Sequence, residues 1–117
     1  MRCHTDGENF GLMDELLNSG MDIADSICPA PMTKINFSEY YDSFRDKITI
    51  WGGIPSIVML DDIMPQKDFY KYIDDLFTNL GSGKRLILSV ADTLPPAARF
   101  DRIEHIARLC RDFGPVK

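Results

Sequence analysis

The chain has 117 residues, 44% hydrophobic and 26% charged, with a formal net charge of −5. Length and composition describe one globular domain and exclude a disordered chain. No apolar run approaches the roughly 18 residues of a membrane span, and the acidic balance without a Lys/Arg cluster argues against nucleic acid and membrane as partners.

The N-terminal segment, Met1 to Glu8, lacks the apolar core of a signal peptide, so a cytoplasmic protein is expected. Arg2-Cys3-His4 reads as the tail of a strand. Over residues 8–19, Phe10, Met13 and Leu17 fall on one face with Leu12 and Leu16 beside them, which predicts a helix stopped by Gly20. A short strand over 21–27 ends at Cys28-Pro29-Ala30-Pro31. Phe37, Tyr40, Tyr41 and Phe44 recur at helical offsets, with Asn36 placed to cap.

The stretch from Ile48 to Ser56 reads as a buried strand, a tight turn at Gly52-Gly53, and a helix start near Pro55. A helix opening at Met64-Pro65 shows the clearest amphipathic pattern, with Phe69, Tyr72, Ile73, Leu76, Phe77 and Leu80 on one side. Leu86 to Val90 is a further buried strand, broken at Ala91-Asp92-Thr93. The final helix, residues 100–113, is expected to turn Ile103, Ile106, Ala107 and Cys110 inward. Trp51 is expected in the core and His105 at the surface. Cys3, Cys28 and Cys110 form no CxxC pair, which excludes a disulfide framework and a structural zinc knuckle.

Strands alternating with helices at this period predict right-handed βαβ units and a parallel sheet. Four such units make half of an eight-stranded barrel, which takes roughly 250 residues. The expected fold class is therefore α/β, the C-terminal half of a (β/α)8 barrel. Open sheet edges predict association, with a missing N-terminal half or with a second copy.

Four segments carry a family resemblance: Cys3-His4-Thr5-Asp6-Gly7-Glu8-Asn9, Gly20 to Ser26, Ile48 to Ser56, and Leu86 to Pro96. In order and spacing they resemble the C-terminal part of the uroporphyrinogen decarboxylase superfamily, over nearly the whole chain. That superfamily includes the porphyrinogen decarboxylases and cobalamin-dependent methyltransferases. The resemblance implies a partial domain, about units five to eight of one barrel. In the decarboxylases a Gly-His-Gly turn follows the last strand, where this chain has Asp92. The methyltransferases hold zinc with a His-x-Cys pair and a later cysteine; the matching positions here are His4-x-Asp6 and Asp92.

At the mouth of a parallel barrel the strand ends converge. His4, Asp6 and Glu8 leave the first strand, Asp25 and Cys28 the second, Gly52 and Gly53 the third, and Asp92 the fourth. An imidazole, carboxylates and a thiol suit a divalent metal, zinc if the thiol binds. The expected ligands are His4, Asp6 and Cys28, with Asp92 catalytic and Glu8, Asp25, Gly52 and Gly53 touching substrate. Each has a plainer reading: Asp6 and Glu8 as helix caps, Cys28 as a packed small residue, Asp92 as a turn cap, the glycines as turn formers. The leading function is metal-assisted methyl transfer from a methylated corrinoid, free or on a corrinoid protein, or from another small methyl donor, to a thiol. The alternatives are uroporphyrinogen decarboxylation in porphyrin biosynthesis, and a non-catalytic remnant or one half of a split barrel.

Overall fold

The computed structural model describes residues 1–115. In chain order the elements are β1 (Arg2–His4), α1 (Met13–Leu17), β2 (Ile23–Ile27), α2 (Phe37–Phe44), β3 (Thr49–Ile54), α3 (Gln66–Thr78), β4 (Leu86–Val90) and α4 (Phe100–Phe113). A single 3-10 turn, Ser56–Met59, follows Pro55 in place of a helix. The strands form one parallel sheet in the order β1-β2-β3-β4. Each crossover steps to the next strand in the same direction, so right-handed connections put the helices on one face. A doubly wound sheet would reverse direction partway. The α/β class and the alternation agree with expectation, and the sheet is compatible with half a barrel.

Strand alternation sorts the side chains. Cys3, Ala24, Ile50, Leu86, Leu88 and Val90 pack into the core with the helices. The intervening residues, among them Arg2, His4, Asp25, Trp51 and Ile87, turn to the helix-free face. Register sets His4 beside Asp25, Asp25 beside Trp51, and Trp51 beside Ile87. Trp51 is thus half-buried outside the core cluster, under the Arg2 guanidinium 5.1 Å from its ring centre. That corrects its expected core place.

On the helical side, α2 buries Phe37, Tyr40, Tyr41 and Phe44, and α3 buries Phe69, Ile73 and Leu76. The Asn36 side chain caps α2 by accepting from the Glu39 amide at 2.9 Å. The helix predicted over 8–19 shrinks to one short turn with no buried residue. Gly7 and Gly11 adopt φ of 92° and 86°, and Asn9 spends its amide on Thr5 O and Tyr40 Oη. The chain at that point is a fastened loop, and Phe10 is left 64% exposed.

Two further expectations change. Gly52 and Gly53 do not form a turn: they pair with Leu88 and Ser89 inside β3, which runs on to Ile54. The β2 backbone explains them. Ser26 has φ of 63° and the register shifts between Asp25 and Ile27, pushing the β2 backbone toward β3. A Cβ on Gly52 would lie 2.7 Å from the Ile27 carbonyl oxygen, so only glycine fits beside this bulge.

The second change is in α4, where Ala107 and Cys110 are exposed. Its inward face is Ile106 and a fully buried Arg102, with Ile103, Leu109 and Phe113 packed alongside. The Arg102 guanidinium donates to Val58 O at 2.6 Å, Met64 O at 2.8 Å, Gln66 Oε1 at 3.0 Å and Asp61 Oδ1 at 2.8 Å. It also lies 4.7 Å from the Phe69 ring centre. It ties the β3–α3 connection to α4. His105, expected at the surface, is half-buried against Tyr70, with ring centres 4.7 Å apart.

Candidate metal centre

The site forms where β1, β2 and β4 end. Thr5 anchors the first of these ends: its amide and its hydroxyl both donate to Asp25 O, at 2.8 and 2.9 Å. Thr5 points inward and is buried, so its neighbours His4 and Asp6 turn outward and are exposed. At the far edge, the Ala91 amide donates to Ile54 O at 2.7 Å and extends the ladder by one step. Asp92 then takes φ of 58°, which turns the chain back across the strand ends. Its amide donates to Ser26 Oγ at 3.3 Å, so the β4 loop rests on the bulge of β2.

The result is a cluster. His4, Asp6 and Asp92 each offer one ligand atom, and these atoms lie within 4.8 Å of one another. Ligands sharing one ion at about 2.1 Å sit no more than about 4.2 Å apart, so a small inward rotation of these exposed side chains suffices. An imidazole with two carboxylates is a borderline-to-hard donor set, suited to zinc, manganese or iron and leaving positions open for substrate. Asp25 stands beside it. Its Oδ2 is 3.7 Å from His4 Nδ1 and 3.8 Å from Arg2 Nε. A carboxylate behind one imidazole nitrogen helps to orient the ring.

The remaining expected residues fall elsewhere. Cys28 is outside the cluster and 3% exposed, its thiol donating to Met32 Sδ at 3.5 Å. Burial pushes that thiol up to about 11, and the Asp6 and Asp92 carboxylates add to the shift. Glu8 accepts from the Lys34 amide at 2.9 Å and the Phe10 amide at 3.2 Å, stitching the β1–α1 loop to the β2–α2 loop. Gly52 and Gly53 are buried within β3.

Ser26, which props Asp92, was not marked by the sequence; a serine between Asp25 and Ile27 in a short strand gives no sign of left-handed backbone. Comparison with protein-family models, with curated proteins and with solved structures finds no match.

Proposed function

We propose that the chain binds one divalent metal ion through His4, Asp6 and Asp92 and serves metal-assisted methyl transfer to a thiol. The observation that carries this is the convergence of three ligand atoms from opposite edges of the sheet onto one point at the strand ends. A divalent ion there would lower the pKa of a thiol presented to an open position and hold it as a nucleophile. The chain's own residues do the rest. Asp25 orients His4, Thr5 fixes the loop bearing Asp6, and Ser26 holds the turn bearing Asp92. The thiolate sulfur would attack the methyl carbon of a methylated corrinoid or a smaller donor; the sulfur–carbon bond forms as the donor–carbon bond breaks. Cys28 stays protonated and lies outside the ligand set, so the thiol in question belongs to the substrate.

Uroporphyrinogen decarboxylation is the weaker reading, because a substrate rich in carboxylates would meet Asp6 and Asp92 at this mouth, where arginine partners are needed. A second reading, that the chain works as one half of a barrel, rests on a sheet face with no helix and on edges of β1 and β4 with no strand partner among the described residues. Closure at eight strands by four further units, from another polypeptide or a second copy, would cover both. The test of the main reading is X-ray absorption spectroscopy of the zinc-loaded protein. One nitrogen and carboxylate oxygens around the ion, with the nitrogen lost in His4→Ala, is the expected result. A sulfur ligand, or a spectrum unchanged by His4→Ala, would overturn the assignment. Demethylation of methylcobalamin by a thiol in the assembled barrel should then depend on His4.

A further inference from the structure

Away from the strand ends, a cavity of about 420 Å³ opens between the first turn of α2 and the outer side of α3. Its volume lies within the ~300–1,000 Å³ typical of small-molecule sites. Pro31, Phe37, Met64, Tyr72 and Leu76 make it largely apolar. The walls are fixed. The Tyr72 hydroxyl donates to Ala30 O at 2.8 Å, and the Ala30 amide to Ile35 O at 2.8 Å, which holds the β2–α2 loop off α3.

The polar groups at its border are few and unequal. Asn36 uses its oxygen as the α2 cap, which leaves its amide hydrogens free to donate. Ser38 Oγ has no hydrogen-bond partner among the described residues. At the other side, Asn79 spends its amide nitrogen on Asp75 O at 2.7 Å, leaving its oxygen to accept. The one charged lining group, Asp75, is matched by Lys71 Nζ at 2.9 Å. Donors at the α2 side, an acceptor at the α3 side and no uncompensated charge define the ligand. We infer that this cavity binds a small, uncharged, largely apolar ligand carrying both a hydrogen-bond acceptor and a donor. An anion would meet Asp75 and a cation would have to share that carboxylate with Lys71, so either would give up its hydration to apolar walls for little in return.

Benzamide is the probe, with benzoate and benzylammonium as its charged counterparts, titrated into the ¹⁵N-labelled protein and followed by NMR. Benzamide should shift the amides of Phe37, Ser38, Tyr72 and Leu76 saturably, with a Kd of about 1 mM for so small a ligand. The two ions should bind at least about tenfold more weakly. Ser38→Trp, on the rim of the first helical turn, should fill the cavity and abolish the shifts; Ser38→Ala, which keeps the space and removes one donor, should only weaken them. Absence of saturation, equal binding of either ion, or shifts unchanged by Ser38→Trp would overturn the inference. So would shifts of these amides on raising protein concentration alone, which would mean that a second copy covers the cavity.

Discussion

Replacing Arg102 with methionine tests how the helical layer is fastened. The guanidinium is fully buried, and its loss strips donors from Val58 O, Met64 O and Gln66 Oε1. Each buried carbonyl left without a donor costs about 1–3 kcal/mol, and the lost contact with Phe69 about 1–2 kcal/mol. Methionine keeps the apolar stem contacts and no longer has a charge to desolvate, which offsets part of the loss. The net expectation is a destabilisation of about 3–5 kcal/mol, the sum of the orphaned carbonyls and the lost ring contact less that offset. That is a large share of the ~5–15 kcal/mol a domain possesses. Asp61→Asn should cost only about 1 kcal/mol, because Asp61 is half-exposed and an amide oxygen can still accept. Urea unfolding reports both; with a slope of about 2 kcal/mol per molar, Arg102→Met should lower the midpoint by about 1.5–2.5 M. A change below about 1 kcal/mol for Arg102→Met, or one no larger than that of Asp61→Asn, would refute the reasoning.

Gly52→Ala should destabilise by about 2–4 kcal/mol, since φ is 141° and the added Cβ meets backbone 2.7 Å away; a stability within about 0.5 kcal/mol of wild type would show that β2 gives way there. Cys28 holds its proton to about 11 against an ordinary value of 9. With Cys3 and Cys110 replaced by serine, its alkylation rate should keep rising past pH 9; a plateau near 9 would contradict its burial. The sign for stability follows from the same shift. The folded state keeps the proton that the unfolded state gives up, so the contribution of Cys28 is complete below pH 9 and is lost as pH rises toward 11.

What the sequence disclosed and what it hid divide along physical lines. Periodic patterns were legible: the stripe from Phe69 to Phe77 became α3, with Leu80 buried just past its end, and Phe37 to Phe44 became α2 with its Asn36 cap. Leu86 to Val90 became β4 with the expected bounds. Patterns that depend on neighbours were not. Gly52-Gly53 looks like a turn until the bulge of β2 at Ser26 is known, and that bulge has no local signature. Phe10, Met13 and Leu17 have helical spacing, yet Asn9 finds a better partner in Tyr40 and holds the start of the segment as loop. The burial of Arg102 has no mark in the sequence, because nothing in its own helix announces the carbonyls that the β3–α3 connection brings to it.

For the site, strand-end logic placed His4, Asp6 and Cys28 as ligands and Asp92 as the catalytic group; the fold brings His4, Asp6 and Asp92 together and leaves Cys28 outside the cluster. It cannot say which way a side chain turns at a strand end. Thr5 decides that for His4 and Asp6, and the inward side of the sheet takes Cys28 away from the ligand set.

The central claim is that His4, Asp6 and Asp92 act as one metal site, and zinc titration by calorimetry tests it most directly. One ion per chain with a Kd of about 1 μM or tighter is expected, weakened at least about tenfold by His4→Ala and by Asp92→Asn. Asp74→Asn, an exposed change on α3, should leave binding unaltered. No saturable binding, or binding that His4→Ala does not weaken, would contradict the account.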